Sequence, residues 1–125
     1  ERLDKVAVGG GDAKLLALIE VNLGGEESKS GVNESKVLAL AEALSALDTL
    51  EIRGLMAVPP YLEEPELTRP YFRRLRELAA EISKRNLPRV TMQELSMGMS
   101  HDFEVAIEEG ATMVRVGTAI FGARI

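Results

Sequence analysis

Two short runs near the end of the chain hold the residue types most suited to chemistry. They are Leu95-Ser96-Met97-Gly98-Met99-Ser100 and Met113-Val114-Arg115-Val116-Gly117-Thr118. Each is largely apolar and ends in a glycine with a hydroxyl residue one or two positions on. Glycine lets a ligand approach the backbone, and Ser or Thr adds a hydroxyl next to exposed N–H groups. Where such a loop opens a helix, its unpaired amides and the helix dipole favour an anion, most often phosphate. Either run alone also reads as the turn that ends a buried strand. Set side by side by parallel strands, with an arginine in the second, the two would form one phosphate cup.

Strand alternation puts Met113, Arg115 and Gly117 on one face of the second run and Val114 and Val116 on the other. If the valines pack against helices, the Arg115 guanidinium points to the opposite face. A buried guanidinium there needs a carboxylate such as Glu20 or Glu94, an anionic ligand or a ring acceptor. Ser100 sits where an N-cap belongs, ahead of a helix from His101 to Glu109, and capping and ligand binding both suit it. Asp102 suits the helix dipole but would repel a phosphate, so it is expected to point outward. His101 reads as a solvated first-turn residue and Lys29 as a solvated loop lysine. No Ser-His-Asp set, paired-carboxylate signature or Walker-type loop can be assembled.

These residues need elements to carry them. Four strand-length apolar runs stand out: Leu15–Val21, Leu50–Val58, Val90–Met97 and Thr112–Val116. Between them lie helical patterns. Val37, Leu40, Ala41, Leu44 and Leu47 form one stripe, with Asn33 as N-cap and Val32 with Val37 as a hydrophobic staple. Phe72, Leu75, Leu78, Ala79 and Ile82 form a second stripe that stops near Asn86, before Pro88. A short last helix after Ser100 buries Phe103, Ala106 and Ile107 and stops at Gly110. Glu1–Val8 reads as the end of a preceding helix, with Gly9-Gly10-Gly11 as its exit. The order is (α)βαβαβαβ, an α/β fold with a parallel sheet and right-handed crossovers. Ligands in such folds gather at the carboxyl ends of the strands, where Asn22, Pro59, Ser96–Ser100 and Gly117–Thr118 fall. Four strands do not close an eight-stranded barrel, which leaves a small open sheet or half a barrel.

Composition narrows the class. The 125 residues fit a single domain, 1–125, and 46% apolar content is enough for a core. A net charge of −5, with two Tyr, three Phe and no basic tract, gives no footing for nucleic acid. With no Cys and one His, disulfides, a cysteine nucleophile and a zinc site are not expected. No apolar run approaches the ~20 residues of a membrane span, and no signal peptide is seen. A cytoplasmic location is expected. The chain begins with Glu1 rather than Met, which reads as a fragment.

At these motifs the chain resembles the pyridoxal-phosphate homeostasis proteins, the YggS/PROSC family, relatives of the alanine racemase N-terminal barrel. The shared pieces are Asn22 in IEVN, Glu27–Gly31 in ESKSG, Arg53–Ala57 in RGLMA, Leu95–Ser100 in LSMGMS and Met113–Arg124 in MVRVGTAIFGAR. The resemblance implies pyridoxal 5'-phosphate (PLP) at the carboxyl ends of a TIM-type (β/α)8 barrel, of which this chain is the C-terminal half. Ser96 and the backbone of Gly98, Met99 and Ser100 would hold the phosphate with Gly117 and Thr118. Arg115 would face the pyridine nitrogen, and Lys29 matches a loop lysine linked to secondary PLP handling. The implied role is non-catalytic PLP binding and homeostasis. The family's Schiff-base lysine ends the first barrel strand, in the half this chain lacks. Lys5 and Lys14 do not match that motif, so binding here is expected to be non-covalent. Two alternatives remain: a PLP-dependent racemase or decarboxylase with Tyr61 or Tyr71 as base, or a small phosphate-binding α/β module. A half barrel is also expected to expose unpaired strand edges and an apolar sheet face, favouring self-association or docking with an N-terminal half.

Overall fold

Period-two burial in the aliphatic runs builds the sheet, and period-3.6 stripes build the helices that cover it. The structure, a computed structural model, describes residues 6–9, 15–23, 31–59, 62–116 and 119–122, with side chains described over 15–23, 31–59 and 62–115. The described strands are β1 (Val6–Gly9), β2 (Leu15–Asn22), β3 (Val32–Asn33), β4 (Leu50–Met56), β5 (Val90–Ser96), β6 (Met113–Val116) and β7 (Ala119–Gly122). The helices are α1 (Val37–Ser45), α2 (Arg69–Ser83) and α3 (Phe103–Glu108). The sheet runs β1-β2-β4-β5-β6-β7, with β3 beside β2. β2, β4, β5 and β6 are parallel, as expected of strands alternating with helices.

One face of this sheet meets the helices. Ala17, Ile19 and Val21 of β2 lie there, with Ile52, Leu55, Leu95, Met97 and Val114 from the following strands. All five residues of the α2 stripe are buried against them. Val37, Ala41 and Leu44 of α1 are buried, while Leu40 and Leu47 pack at the margin. In α3, Ala106 is buried and Phe103 and Ile107 are half-buried against the core. Asn33 does cap: its Oδ1 accepts from the Ser35 N–H at 2.9 Å, closing the 3-10 turn Glu34–Lys36 that leads into α1.

Long-range contacts decided several features. Residues 6–9 are not the end of a helix but β1, antiparallel to β2. The reason is that β2 would otherwise leave an edge of unpaired amides and carbonyls, which Val6-Ala7-Val8 is well suited to pair. β7 pairs with β6 in the same antiparallel manner. The parallel set therefore does not end on open edges as expected. The sheet face away from the helices is not apolar either. It carries Glu20, Asn22, Glu51, Arg53, Gln93, Glu94 and Arg115 among its aliphatic residues. Along β4 the alternation slips, so that Ile52 and Leu55 are both buried. The pairing to β2 and β5 shifts at the same level. Gly54 explains the slip: a Cβ there would stand 1.8 Å from the Glu94 carbonyl oxygen, so only glycine permits this approach.

Candidate functional site

The two glycine motifs meet because β5 and β6 are neighbours. The strands share the Ser96–Met113 register, and the Met97 N–H donates to the Met113 carbonyl at 3.0 Å. Thr112 locks the approach to β6. Its N–H donates to the Leu95 carbonyl at 2.9 Å, and its Oγ1 accepts the Leu95 N–H at 2.8 Å. The same hydroxyl donates to Glu94 Oε1 at 2.7 Å. Glu94 is thus engaged with Thr112, one of the two carboxylates considered as partners for Arg115.

Past the end of β5 the chain turns at Gly98, with φ of +109°. A Cβ at this position would lie 2.7 Å from the Ala106 Cβ and 3.2 Å from Val114 Cγ1. The turn therefore packs straight onto α3 and β6, and the Gly98 carbonyl accepts the Arg115 N–H at 2.9 Å. The next turn is held by a reciprocal pair. The Met99 N–H donates to Asp102 Oδ1 at 2.7 Å, and the Asp102 N–H donates to the Met99 carbonyl at 3.1 Å. The acidic side chain thus closes the turn that precedes α3 by reaching back three residues to its first amide.

Asp102 therefore does not point outward. The residue is 4% exposed, with its carboxylate held inside the turn on the Met99 N–H. Ser100 is exposed, and the residue at the N-cap of α3 is Asp102. His101 is half-buried, with Nε2 3.4 Å from Asp102 Oδ2, rather than a purely solvated residue. The spacing Met99-x-x-Asp102 was the signal in the sequence for this arrangement.

Met56, Ala57, Val58, Ser96, Met97, Gly98, Met99 and Arg115 line one pocket at these strand ends. It is a small hollow, open to solvent on one side. Arg115 is exposed rather than buried, since no described residue covers it on the sheet face opposite the helices. Its side chain makes no ion pair with any described residue, so the Glu20 and Glu94 alternatives do not apply. Ser96, Gly98, Met99 and Arg115 are thus brought together. Ser100 adjoins them in the chain but does not line the pocket. Gly117, Thr118, Lys5, Lys14, Lys29 and Tyr61 lie outside the described residues. Tyr71 sits on α2 against the core and does not line the pocket. Met56, Ala57 and Val58 were not singled out as site residues, although two belong to the RGLMA motif.

The model of the family described as alanine racemase, N-terminal domain, matches residues 1–125. The chain belongs to that family. It is similar to the pyridoxal phosphate homeostasis protein of Aquifex aeolicus, 57% identical over 107 residues, covering 86% of this chain and 46% of the relative. Among solved structures, an unknown protein from Bifidobacterium adolescentis superposes with a TM-score of 0.78 at 41% identity, covering 86% of this chain and 43% of that one. PipY of Synechococcus elongatus with PLP bound superposes with a TM-score of 0.66 at 34% identity, covering 80% of this chain and 47% of PipY. The chain spans about half the length of the curated relatives it matches. The family and these neighbours agree with the α/β architecture as part of a TIM-type barrel. Among the described residues, no helix is long and apolar enough to cross a membrane.

Proposed function

We propose that this chain forms the phosphate and ring-nitrogen side of a PLP site and holds the cofactor without catalysing its chemistry. One observation carries the reading: β5 and β6 bring Ser96, Gly98, Met99 and Arg115 into one pocket, in a chain similar to a protein with PLP bound. The residues fit the cofactor. Arg115 is a cation without a described acidic partner, and the glycine turn places backbone at the pocket wall.

In this reading Ser96 and the backbone of Gly98 and Ser100 hold the phosphate, together with Gly117 and Thr118, while the Met99 amide is taken by Asp102. Arg115 stands against the pyridine nitrogen. Bound PLP supplies an electron-withdrawing ring, whose strength depends on protonation of that nitrogen. A guanidinium donates a hydrogen bond but is far too weak an acid to transfer a proton there, so Arg115 keeps the nitrogen unprotonated and favours carriage over turnover. The similarity to proteins named for PLP homeostasis supports the same role. Binding through this side alone is non-covalent. The uncovered sheet face is closed by a second copy or by an N-terminal half, since parallel sheets are normally covered on both faces.

The test is a titration of the 125-residue chain with PLP, followed by absorbance and competed with inorganic phosphate. Weak, saturable, phosphate-sensitive binding is expected. Borohydride reduction should then label lysines diffusely by mass spectrometry. An absence of saturable binding overturns the reading, and stoichiometric labelling of Lys5 or Lys14 overturns its non-covalent part.

A further inference from the structure

The wall of this pocket contains an anion of its own. Asp102 is 4% exposed, and its Oδ1 accepts the Met99 N–H at 2.7 Å. Met99 lines the pocket together with Ser96, Gly98 and Arg115. The carboxylate therefore lies directly behind the loop that lines the pocket, and the Met99 amide is turned to it. We propose that Asp102 sets the affinity of the pocket for phosphate, holding it low by a fixed negative charge behind the Gly98–Met99 turn. The inference rests on the reading of this pocket as the phosphate side of a PLP site.

Two effects act in the same direction. The Met99 N–H is already donated, so a phosphate loses that donor. A dianion on the pocket side also meets a like charge across a single turn of chain, where water screens it poorly. His101 Nε2, 3.4 Å from Asp102 Oδ2, sits on the other carboxylate oxygen and tempers this charge only when the imidazole is protonated. A neutral residue such as Asn would satisfy the amide equally well, so capping alone does not call for a charge here. A protein that carries a cofactor has to release it, and a built-in competitor supplies that property.

The experiment compares wild type with Asp102→Asn, which keeps an acceptor of the same shape for the Met99 N–H and removes the charge. Dissociation constants are measured for PLP, inorganic phosphate and pyridoxal, the last lacking the phosphate. Tightening on the order of tenfold is expected for PLP and phosphate, as for removal of one like charge behind the pocket wall, with pyridoxal unchanged. A merely structural role would loosen binding or leave it alone. Should Asp102→Asn not fold, Asp102→Ser offers a smaller neutral capping acceptor and the same comparison. A folded variant that binds PLP no more tightly than wild type, or that tightens pyridoxal equally, overturns this inference and leaves the PLP reading standing. If no form binds PLP or phosphate, both fall.

Discussion

The backbone N–H of Arg115 donates to the carbonyl of Gly98 across 2.9 Å. This bond joins the two glycine motifs directly. It places the base of the Arg115 side chain beside the turn that lines the pocket. The turn holds its shape only because Gly98 adopts φ of +109° and packs without a side chain against Ala106 and Val114.

Gly98→Ala is therefore expected to destabilise the chain by about 2–3 kcal/mol, combining a disfavoured backbone conformation with overpacking against Ala106. Urea denaturation checks this. A change below about 0.5 kcal/mol would show that the turn relaxes freely.

Thr112→Val keeps the shape but removes the acceptor of the Leu95 N–H and the donor to Glu94. A loss of about 1–2 kcal/mol is expected, the cost of leaving a buried amide unpaired. Thr112→Ser retains the hydroxyl and should remain within about 0.5 kcal/mol of wild type. Equal losses in both variants would point to the methyl group instead.

Arg115 is exposed and makes no ion pair with the described residues, so Arg115→Ala should leave the unfolding midpoint nearly unchanged. PLP affinity should fall by about tenfold or more, the loss of one charge-assisted contact. Unaltered affinity in a stable variant would remove Arg115 from the site.

Acid should weaken the joint between α2 and α3. Glu109 is 5% exposed, and Arg69 Nη1 donates to its Oε2 at 2.8 Å, with Arg73 and Arg76 also within reach. Its hydrogen bond from Arg69, then that from Arg73, hold the carboxyl below the ordinary value of 4.5. The Arg69 hydrogen bond lowers Glu66 in the same way. A carboxyl lowered on folding contributes stability that is complete above its unfolded pKa and disappears as pH falls through the folded one. Stability should thus be flat above about pH 5 and decline below pH 4.5, and Glu109→Gln should flatten that decline. Unfolding measured at several pH values tests it, and an unchanged acid limb in Glu109→Gln refutes the assignment.

Self-association or docking is expected through the uncovered face rather than through bare edges of the parallel set, because β1 and β7 occupy those edges. The mixed charges on that face, Glu51 with Arg53 at 2.7 Å among them, imply an association that weakens with salt. Sedimentation at tens of micromolar with and without added salt decides it, and a monomer under both conditions excludes self-association.

The sequence by itself determined what depends on neighbours along the chain. Strand-length apolar runs marked the four parallel strands, and the Phe72-to-Ile82 stripe marked α2 with every expected residue buried, because helical periodicity is a local record of which side meets the core. The run around Gly98 fell at a strand-end pocket, and the ordered motifs pointed to the family. Tertiary structure decided what depends on distant partners. Val6–Gly9 became a strand because β2 offered an edge. The β4 alternation slipped because Gly54 lies against the Glu94 backbone. Asp102 turned inward because the Met99 amide needed an acceptor, and Arg115 stayed exposed because nothing described covers its face of the sheet. Each of these is a hydrogen-bond or burial requirement between groups brought together only by folding, which no local pattern records.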